Sequence, residues 1–357
     1  MSKPLIEVAA GLLLRSDGQL LLAQRPGDKP WPGWWELPGG KIEPGESTLD
    51  ALARELREEL GIEVTAATPW VTYTHEYPKN HVRLAFCRVT GWRGDPRGVE
   101  GQTLAWVDPH ASIPIAPLLP ATEPPLRWLR LPNRYLVSSI GNDAGLPAFL
   151  EKLEHALEGG LKLVQFREPG WDAAPAHSGL RRVLAACRAY GARCLVNSCH
   201  PEVWWAEADG VHWRATDARR QAAIIAAGAA SASASASASN TSDTSAPHQA
   251  TAAEAGQTAL RFFPATDPTR RLVAVSAHDA DDLAAARALG ADFAVLGHVL
   301  DTPSHPGVPG MGWTRFAQLR ENAGLPVFAI GGQSADTVAD ATRHGAHGIA
   351  GIRYLGS

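Results

Sequence analysis

The stretch Gly40-Lys41-Ile42-Glu43-Pro44-Gly45-Glu46, continuing through Arg54-Glu55-Leu56-Arg57-Glu58-Glu59-Leu60-Gly61-Ile62, reads as a loop, a short acidic helix and a second loop. Pro44 and Gly45 are turn residues. Helix formers occupy residues 48–60, and Gly61 is a natural stop just past the end. Glu55 and Glu59 are four apart and Glu55 and Glu58 three apart, so all three share one helical face. Like charges at that spacing destabilise a helix by roughly 0.2–0.5 kcal/mol per pair. Arg54 and Arg57 offset part of this, and a hard divalent cation would offset more. Carboxylate oxygens suit Mg²⁺ or Mn²⁺, and Mg²⁺ usually arrives shared with the phosphates of a substrate.

The chain has 357 residues, enough for two domains. Its 45% hydrophobic and 20% charged content is that of a soluble globular protein. A net charge of -4 gives no basic footprint, which argues against a nucleic-acid partner. Cys87, Cys187, Cys194 and Cys199 form no CxxC pair and read as reduced thiols of a cytoplasmic protein. The N-terminal apolar run is too short for a signal peptide, and no stretch reaches the roughly 18 apolar residues of a membrane span.

Around the opening stretch, residues 7–15 form an apolar run, Ser16-Asp17-Gly18 a turn, and residues 19–24 a second run; the pattern predicts a hairpin. Arg25 closes it, and a Pro/Gly/Trp-rich loop with Trp31, Trp34 and Trp35 leads into Glu36-Leu37-Pro38-Gly39-Gly40. Residues 71–75 and 81–90 read as paired strands, and Ala105-Trp106-Val107 as a further short one. Strands flanking one or two helices predict an α+β sandwich over residues 1–131.

Gly40, five residues, Glu46, seven residues and Arg54-Glu55-Leu56-x-Glu58-Glu59-x-Gly61-Ile62 together match the complete Nudix box. A bare Glu-x-x-Glu-Glu is usually a solvated helix face; so many fixed positions are far more particular. Residues 4–131 resemble the MutT-type Nudix hydrolases, whose activity is hydrolysis of nucleoside triphosphates to the monophosphate and pyrophosphate, with preference for oxidised guanine nucleotides such as 8-oxo-dGTP. The resemblance implies a nucleotide-pool sanitising enzyme using Mg²⁺, with Mn²⁺ as a substitute. It implies metal ligation by Glu55, Glu58, Glu59, the Gly39 carbonyl and Glu100, the last also positioning the attacking water. It implies a Glu46–Arg54 pair holding loop to helix, and substrate contacts from Arg25 and from Leu37, Pro38, Gly39 and Gly40. Where the family has a base-reading asparagine this chain has Thr122, whose hydroxyl offers only a shared donor and acceptor. Leu37 stands where an aromatic residue is usual; Trp34 or Trp35 could stack on a base instead, though ordinary packing is the commoner role of such residues.

Beyond residue 131 only Pro132 and Asn133 remain as a linker, which predicts that the two domains touch. Residues 134–357 then alternate strand and helix signals through eight units, the pattern of a (β/α)₈ TIM-type barrel. Residues 229–257 break it with an Ala-Ser repeat and a polar run, predicting a disordered insertion into which the preceding helix can extend. Gly331-Gly332 follows the seventh strand, where barrels commonly bind phosphate.

The barrel resembles the thiamine phosphate synthase and TenI family through Val164-Gln165-Phe166-Arg167-Glu168, Asn197, Ala208-Asp209-Gly210-Val211-His212, Val275-Ser276-Ala277-His278, Leu296-Gly297-His298-Val299 and Ile330-Gly331-Gly332. Pro169, Ser198 and His305 replace a lysine, a metal-binding aspartate and a second lysine of true synthases, while Asp217 matches the second metal aspartate. The resemblance therefore implies loss of synthase activity. It leaves open a TenI-type thiazole phosphate tautomerase with His278 as its acid/base, or a non-catalytic sensor of thiazole or thiamine phosphate. It also leaves open a thiamine-related pyrophosphate as the Nudix substrate.

Overall fold

Residues 3–238 and 270–352 are described by the computed structural model. Strands β1 (Leu5–Leu13), β2 (Leu20–Gln24), β3 (Trp35–Glu36) and β4 (Gly39–Lys41) precede helix α1 (Thr48–Leu60); β5 (Glu63–Glu76), β6 (His81–Arg93), β7 (Leu104–Val107) and α2 (Glu123–Leu129) follow it. They form two sheets, ordered β4-β1-β6-β5 and β3-β2-β7. The expected hairpin of the first two strands is not formed. They lie in different sheets and are joined at the turn by a Leu14–Leu20 bridge and an Arg15 N–H bond to the Gln19 carbonyl. β1 is buried over its C-terminal half and uses both edges for longer pairings, antiparallel to β4 and parallel to β6.

Ser47 caps α1 by accepting the Asp50 N–H, and Gly61 ends it in a left-handed conformation. Leu52, Leu56 and Leu60 are fully buried, packing on Ala9, Leu13, Cys87 and Val89. Each is worth about 1.5–3 kcal/mol. That apolar stripe faces the sheet, which leaves Glu55 and Glu59 at the edge of the helix, partly buried, and Glu58 exposed.

The second half is a closed eight-stranded parallel barrel. Its strands are β8 (Arg134–Val137), β9 (Leu163–Phe166), β10 (Arg193–Asn197), β11 (Gly210–Trp213), β12 (Leu272–Ala277), β13 (Phe293–Gly297), β14 (Val327–Ile330) and β15 (Gly348–Gly351). Helices α3 (Leu146–Glu158), α4 (Ala173–Ala189), α5 (Glu202–Trp205), α6 (Ala215–Ala238), α7 (Ala280–Ala288), α8 (Gly312–Glu321) and α9 (Val338–Arg343) connect them. Tyr135, Leu163, Leu195, Phe293 and Phe328 fill the interior. The preceding helix extends into the Ala-Ser repeat, as alanine propensity predicts: α6 runs to Ala238, so residues 229–238 of the expected insertion are helical. The rest of the expected insertion, residues 239–257, lies outside the described residues.

The halves touch, and they do so at the N-terminal end of the barrel strands. His347, just before β15, is buried. Its Nδ1 receives Trp70 Nε1–H at 3.3 Å and an Arg88 guanidinium N–H at 3.1 Å. Both partners can only donate, so Nδ1 is unprotonated and Nε2–H donates to the Leu131 carbonyl at 3.0 Å. Burial, with Arg88 beside it, pushes the imidazole pKa down to about 3. Arg320 adds a bond to the Trp70 carbonyl. Among the described residues no helix is long and apolar enough to cross a membrane.

Candidate active site

Helix α1 sets Glu55 and Glu59 over the Gly39-Gly40 strand, with Glu58 mostly exposed beside them. A Cβ on Gly40 would stand 2.2 Å from the Glu55 carboxyl carbon, so Glu55 lies directly on glycine backbone. Gly39 has φ +140, and a Cβ there would stand 2.1 Å from the Ala9 carbonyl oxygen. Its N–H donates to Glu59 at 3.1 Å. Arg54 grips the Glu46 carboxylate with two nitrogens, both at 3.1 Å, and donates to the Lys41 carbonyl. It also reaches Glu55 at 2.8 Å and Glu58 at 3.3 Å. One guanidinium thus ties the loop to the helix and neutralises the stripe.

Glu100 arrives from far along the chain. Its loop is fastened to the end of α1 by Arg97 N–H on the Leu60 carbonyl and Val99 N–H on the Glu59 carbonyl. These are carbonyls a helix end leaves unpaired. The ammonium of Lys29 then sits between carboxylates, 2.6 Å from Glu100 and 3.5 Å from Glu59. Burial pushes the Glu59 carboxyl up to about 7, against the Gly39 N–H and Lys29, with Glu36 and Glu100 adding to the rise.

Among the described residues no three acidic, histidine or cysteine side chains converge closely enough to hold a metal as they stand. Glu55 and Glu58 are paired with Arg54, Glu59 and Glu100 with Lys29, and Glu58 is mostly exposed. The donor set nevertheless suits a hard cation. Lys29 is a positive charge already shared by Glu59 and Glu100, at the end of a flexible stem that can withdraw. Glu55, Glu58, Glu59, Glu100 and the Gly39 carbonyl are the groups that could hold the ion.

The expected substrate contacts are distributed unevenly. Arg25 is bound to both Glu36 oxygens at 2.7 and 2.5 Å and to the Pro30 carbonyl, so it braces the Trp-rich loop. Leu37 and Trp35 are buried in the core between the sheets, while Trp34 is half-buried and meets Trp31 edge-on. Pro38 accepts the Gly11 N–H, and Thr122 is buried in the turn before α2. Lys29 was not singled out from sequence. It lies in a loop without periodicity, and nothing in the chain marks its partners.

The C-terminal face of the barrel carries a second candidate site. Gly331 and Gly332 have φ +95 and +65, and a Cβ on Gly331 would meet His298 Cβ at 2.3 Å. His278 is largely exposed and bonds Asp282 through its backbone N–H and Nδ1. Asp217 accepts from Ser198 at 2.7 Å and pairs with Arg214 at 2.6 Å. Glu168 is buried and accepts from Ser138, Ile140 N–H and Gly141 N–H. A polar chain crosses the interior from Asn197 through Gln165, Tyr135 and His212 to Ser276. It was not legible as a unit because its members come from separate strands. The two candidate sites do not face each other, since the Nudix-type half docks at the opposite end of the barrel.

The NUDIX domain family matches residues 5–129, and the thiamine monophosphate synthase family matches residues 134–257 and 256–355. An 8-oxo-dGTP diphosphatase of Proteus vulgaris is 41% identical over 95 residues, 27% of this chain and 85% of that protein. A CTP pyrophosphohydrolase of Escherichia coli K12 is 42% identical over 120 residues, 34% of this chain and 87% of that protein. A thiamine-phosphate synthase of Thermosynechococcus vestitus is 29% identical over 230 residues, 64% of this chain but only 53% of that protein. The chain belongs to the NUDIX-domain family through its first part and to the thiamine monophosphate synthase family through its second. Its class is that of hydrolases acting on phosphoric anhydrides, of the MutT type, joined to a thiamine phosphate synthase-like barrel.

Proposed function

We propose that the protein is a Mg²⁺-dependent nucleoside triphosphate pyrophosphohydrolase that cleaves 8-oxo-dGTP to 8-oxo-dGMP and pyrophosphate, and so cleans the nucleotide pool. The observation that carries this reading is the set of carboxylates pinned on glycine backbone, with Glu100 drawn to Glu59 by a shared cation. A bound divalent ion would neutralise the triphosphate and acidify a water. Glu55, Glu58 and Glu59 would hold it from the helix. Glu100, on a turn at the mouth, orients the water that attacks phosphorus. The bond to the leaving pyrophosphate breaks, and the water's remaining proton passes to solvent through the carboxylates. Phosphoryl transfer needs mainly this positioning and charge stabilisation.

Thr122 and the similarity to the CTP pyrophosphohydrolase favour a second reading, in which the same chemistry acts on a different base. The test is product release by the full chain with Mg²⁺ on 8-oxo-dGTP, dGTP, CTP, the other dNTPs and thiamine diphosphate. A kcat/KM for 8-oxo-dGTP about tenfold above dGTP, roughly 1.4 kcal/mol of discrimination, supports the first reading. Preference for CTP supports the second, and preference for thiamine diphosphate replaces both.

For the barrel, we infer a phosphate-ligand module and not a synthase. Arg214 and Ser198 occupy Asp217 where the family would bind metal, and Gly331-Gly332, at φ +95 and +65 after the seventh barrel strand, has the glycine backbone that lets N–H groups approach a phosphate. Binding of thiazole phosphate by the full chain, abolished by His278→Ala only at the level of turnover, would make it a tautomerase. Binding without turnover would leave it a sensor.

A further inference from the structure

Between the two halves lies a cleft of about 390 Å³, lined by Tyr73, Arg83, Arg127 and Trp128 from the Nudix-type domain and by Arg287, Asn322 and Glu321 from the barrel, the last 3.9 Å from Arg83. That volume is within the range of small-molecule sites. Three guanidinium groups line it, and two are committed. Arg83 bonds Glu7 at 2.7 Å and Asn322 at 3.2 Å. Arg287 holds the Asn322 and Ala323 carbonyls at 2.6 and 3.2 Å, under a loop that Gly324 (φ +70) lets approach.

Arg127 is different. Its Nε is buried with no hydrogen-bond partner, and among the described residues its guanidinium pairs with no carboxylate. Burial pulls its pKa down. Asp292, Glu123 and Tyr73 lie near enough to counter this in part, and Arg270 opposes them. Asp292 is already spent on Arg270 and on the Val273 N–H. A largely buried guanidinium without a partner costs free energy unless something satisfies it.

We propose that this cleft is a binding site for a small phosphate-bearing anion, with Arg127 as its main contact. A guanidinium fork matches phosphate oxygens in pairs. The tetrahedral group could come from free phosphate, from pyrophosphate or from a nucleoside monophosphate. The occupant touches both halves, so its binding is linked to their docking and stabilises the whole chain by mass action.

The experiment is calorimetric titration of the full chain with inorganic phosphate, pyrophosphate and dGMP in EDTA, together with thermal unfolding. Saturable binding is expected, weakened about tenfold or more in Arg127→Met, as for loss of a charged hydrogen bond. Arg127→Met without ligand should be as stable as the parent or more so, because it removes an unpartnered buried charge; a merely structural arginine would do the reverse. Equal affinity for all three ligands identifies the bare phosphate as the group recognised, and binding of dGMP alone identifies a nucleotide. Both outcomes support the site when Arg127→Met weakens them. Absence of saturable binding, unchanged affinity in Arg127→Met, or loss of binding in Arg167→Ala on the far barrel face would overturn it.

Discussion

Lys29 must leave before a divalent ion can sit between Glu59 and Glu100, and removing it should therefore tighten metal binding. Its ammonium is 2.6 Å from Glu100 and 3.5 Å from Glu59, and both Lys29 and Glu100 are more than a third exposed. Exposed ion pairs are worth roughly 0.2–1 kcal/mol each, so displacing two costs about 1 kcal/mol. That corresponds to about a fivefold change in affinity. Lys29→Met keeps the length of the stem and removes the charge. Mn²⁺ binding without nucleotide, followed by electron paramagnetic resonance, should show a Kd about three- to tenfold lower than in the parent. The gain should shrink at high salt, which screens the exposed pairs. Lys29→Arg should behave like the parent. An unchanged or higher Kd in Lys29→Met would refute the reasoning, because the ammonium would then not stand where the metal binds.

Three other outcomes are expected. Glu55→Gln and Glu59→Gln should each lower kcat/KM at least about 100-fold, more than loss of an outer partner of a metal ligand typically costs, with an unchanged far-ultraviolet spectrum; parental rates in either would remove the assignment. Gly39→Ala should destabilise the first domain by about 2–4 kcal/mol, read from urea unfolding, because φ +140 and the 2.1 Å approach to Ala9 both exclude a side chain. Acid should weaken the fold through His347 and His212, both held down to about 3 by burial. The unfolded chain binds protons below pH about 6.5 that the native state refuses, so stability is fully present above that pH and falls toward pH 3, by about 1.4 kcal/mol per unit for each histidine. His347→Gln, which can accept from Trp70 and Arg88 and donate to Leu131, should lessen that slope; an unaltered slope between pH 6 and 4 would show that His347 does not contribute.

Much of the local structure was legible in the chain. The spacing of Glu55, Glu58 and Glu59 and the stop at Gly61 fixed α1 and its shared acidic face because helix periodicity is a local property; the Ser47 cap was seen only in the structure. The eight alternating units gave the barrel, because each strand and helix carries its own signal. The Glu46–Arg54 pair was implied by the family resemblance of the same segment, and the structure forms it. Glu100 was named only through the family resemblance, and its nearness to Glu59 depends on the Arg97 and Val99 backbone bonds.

Tertiary structure alone decided the rest. It sent β2 to a different sheet from β1, because pairing is settled by competition among all strands and not by the turn between two of them. It put Lys29 between carboxylates thirty and seventy-one residues away. It committed Arg25 to Glu36. It seated the first domain on the N-terminal end of the barrel, where Trp70, Arg88 and His347 meet across more than 250 residues of chain. Periodicity and turn chemistry act within a few residues, whereas docking and charge pairing depend on which surfaces packing finally brings together.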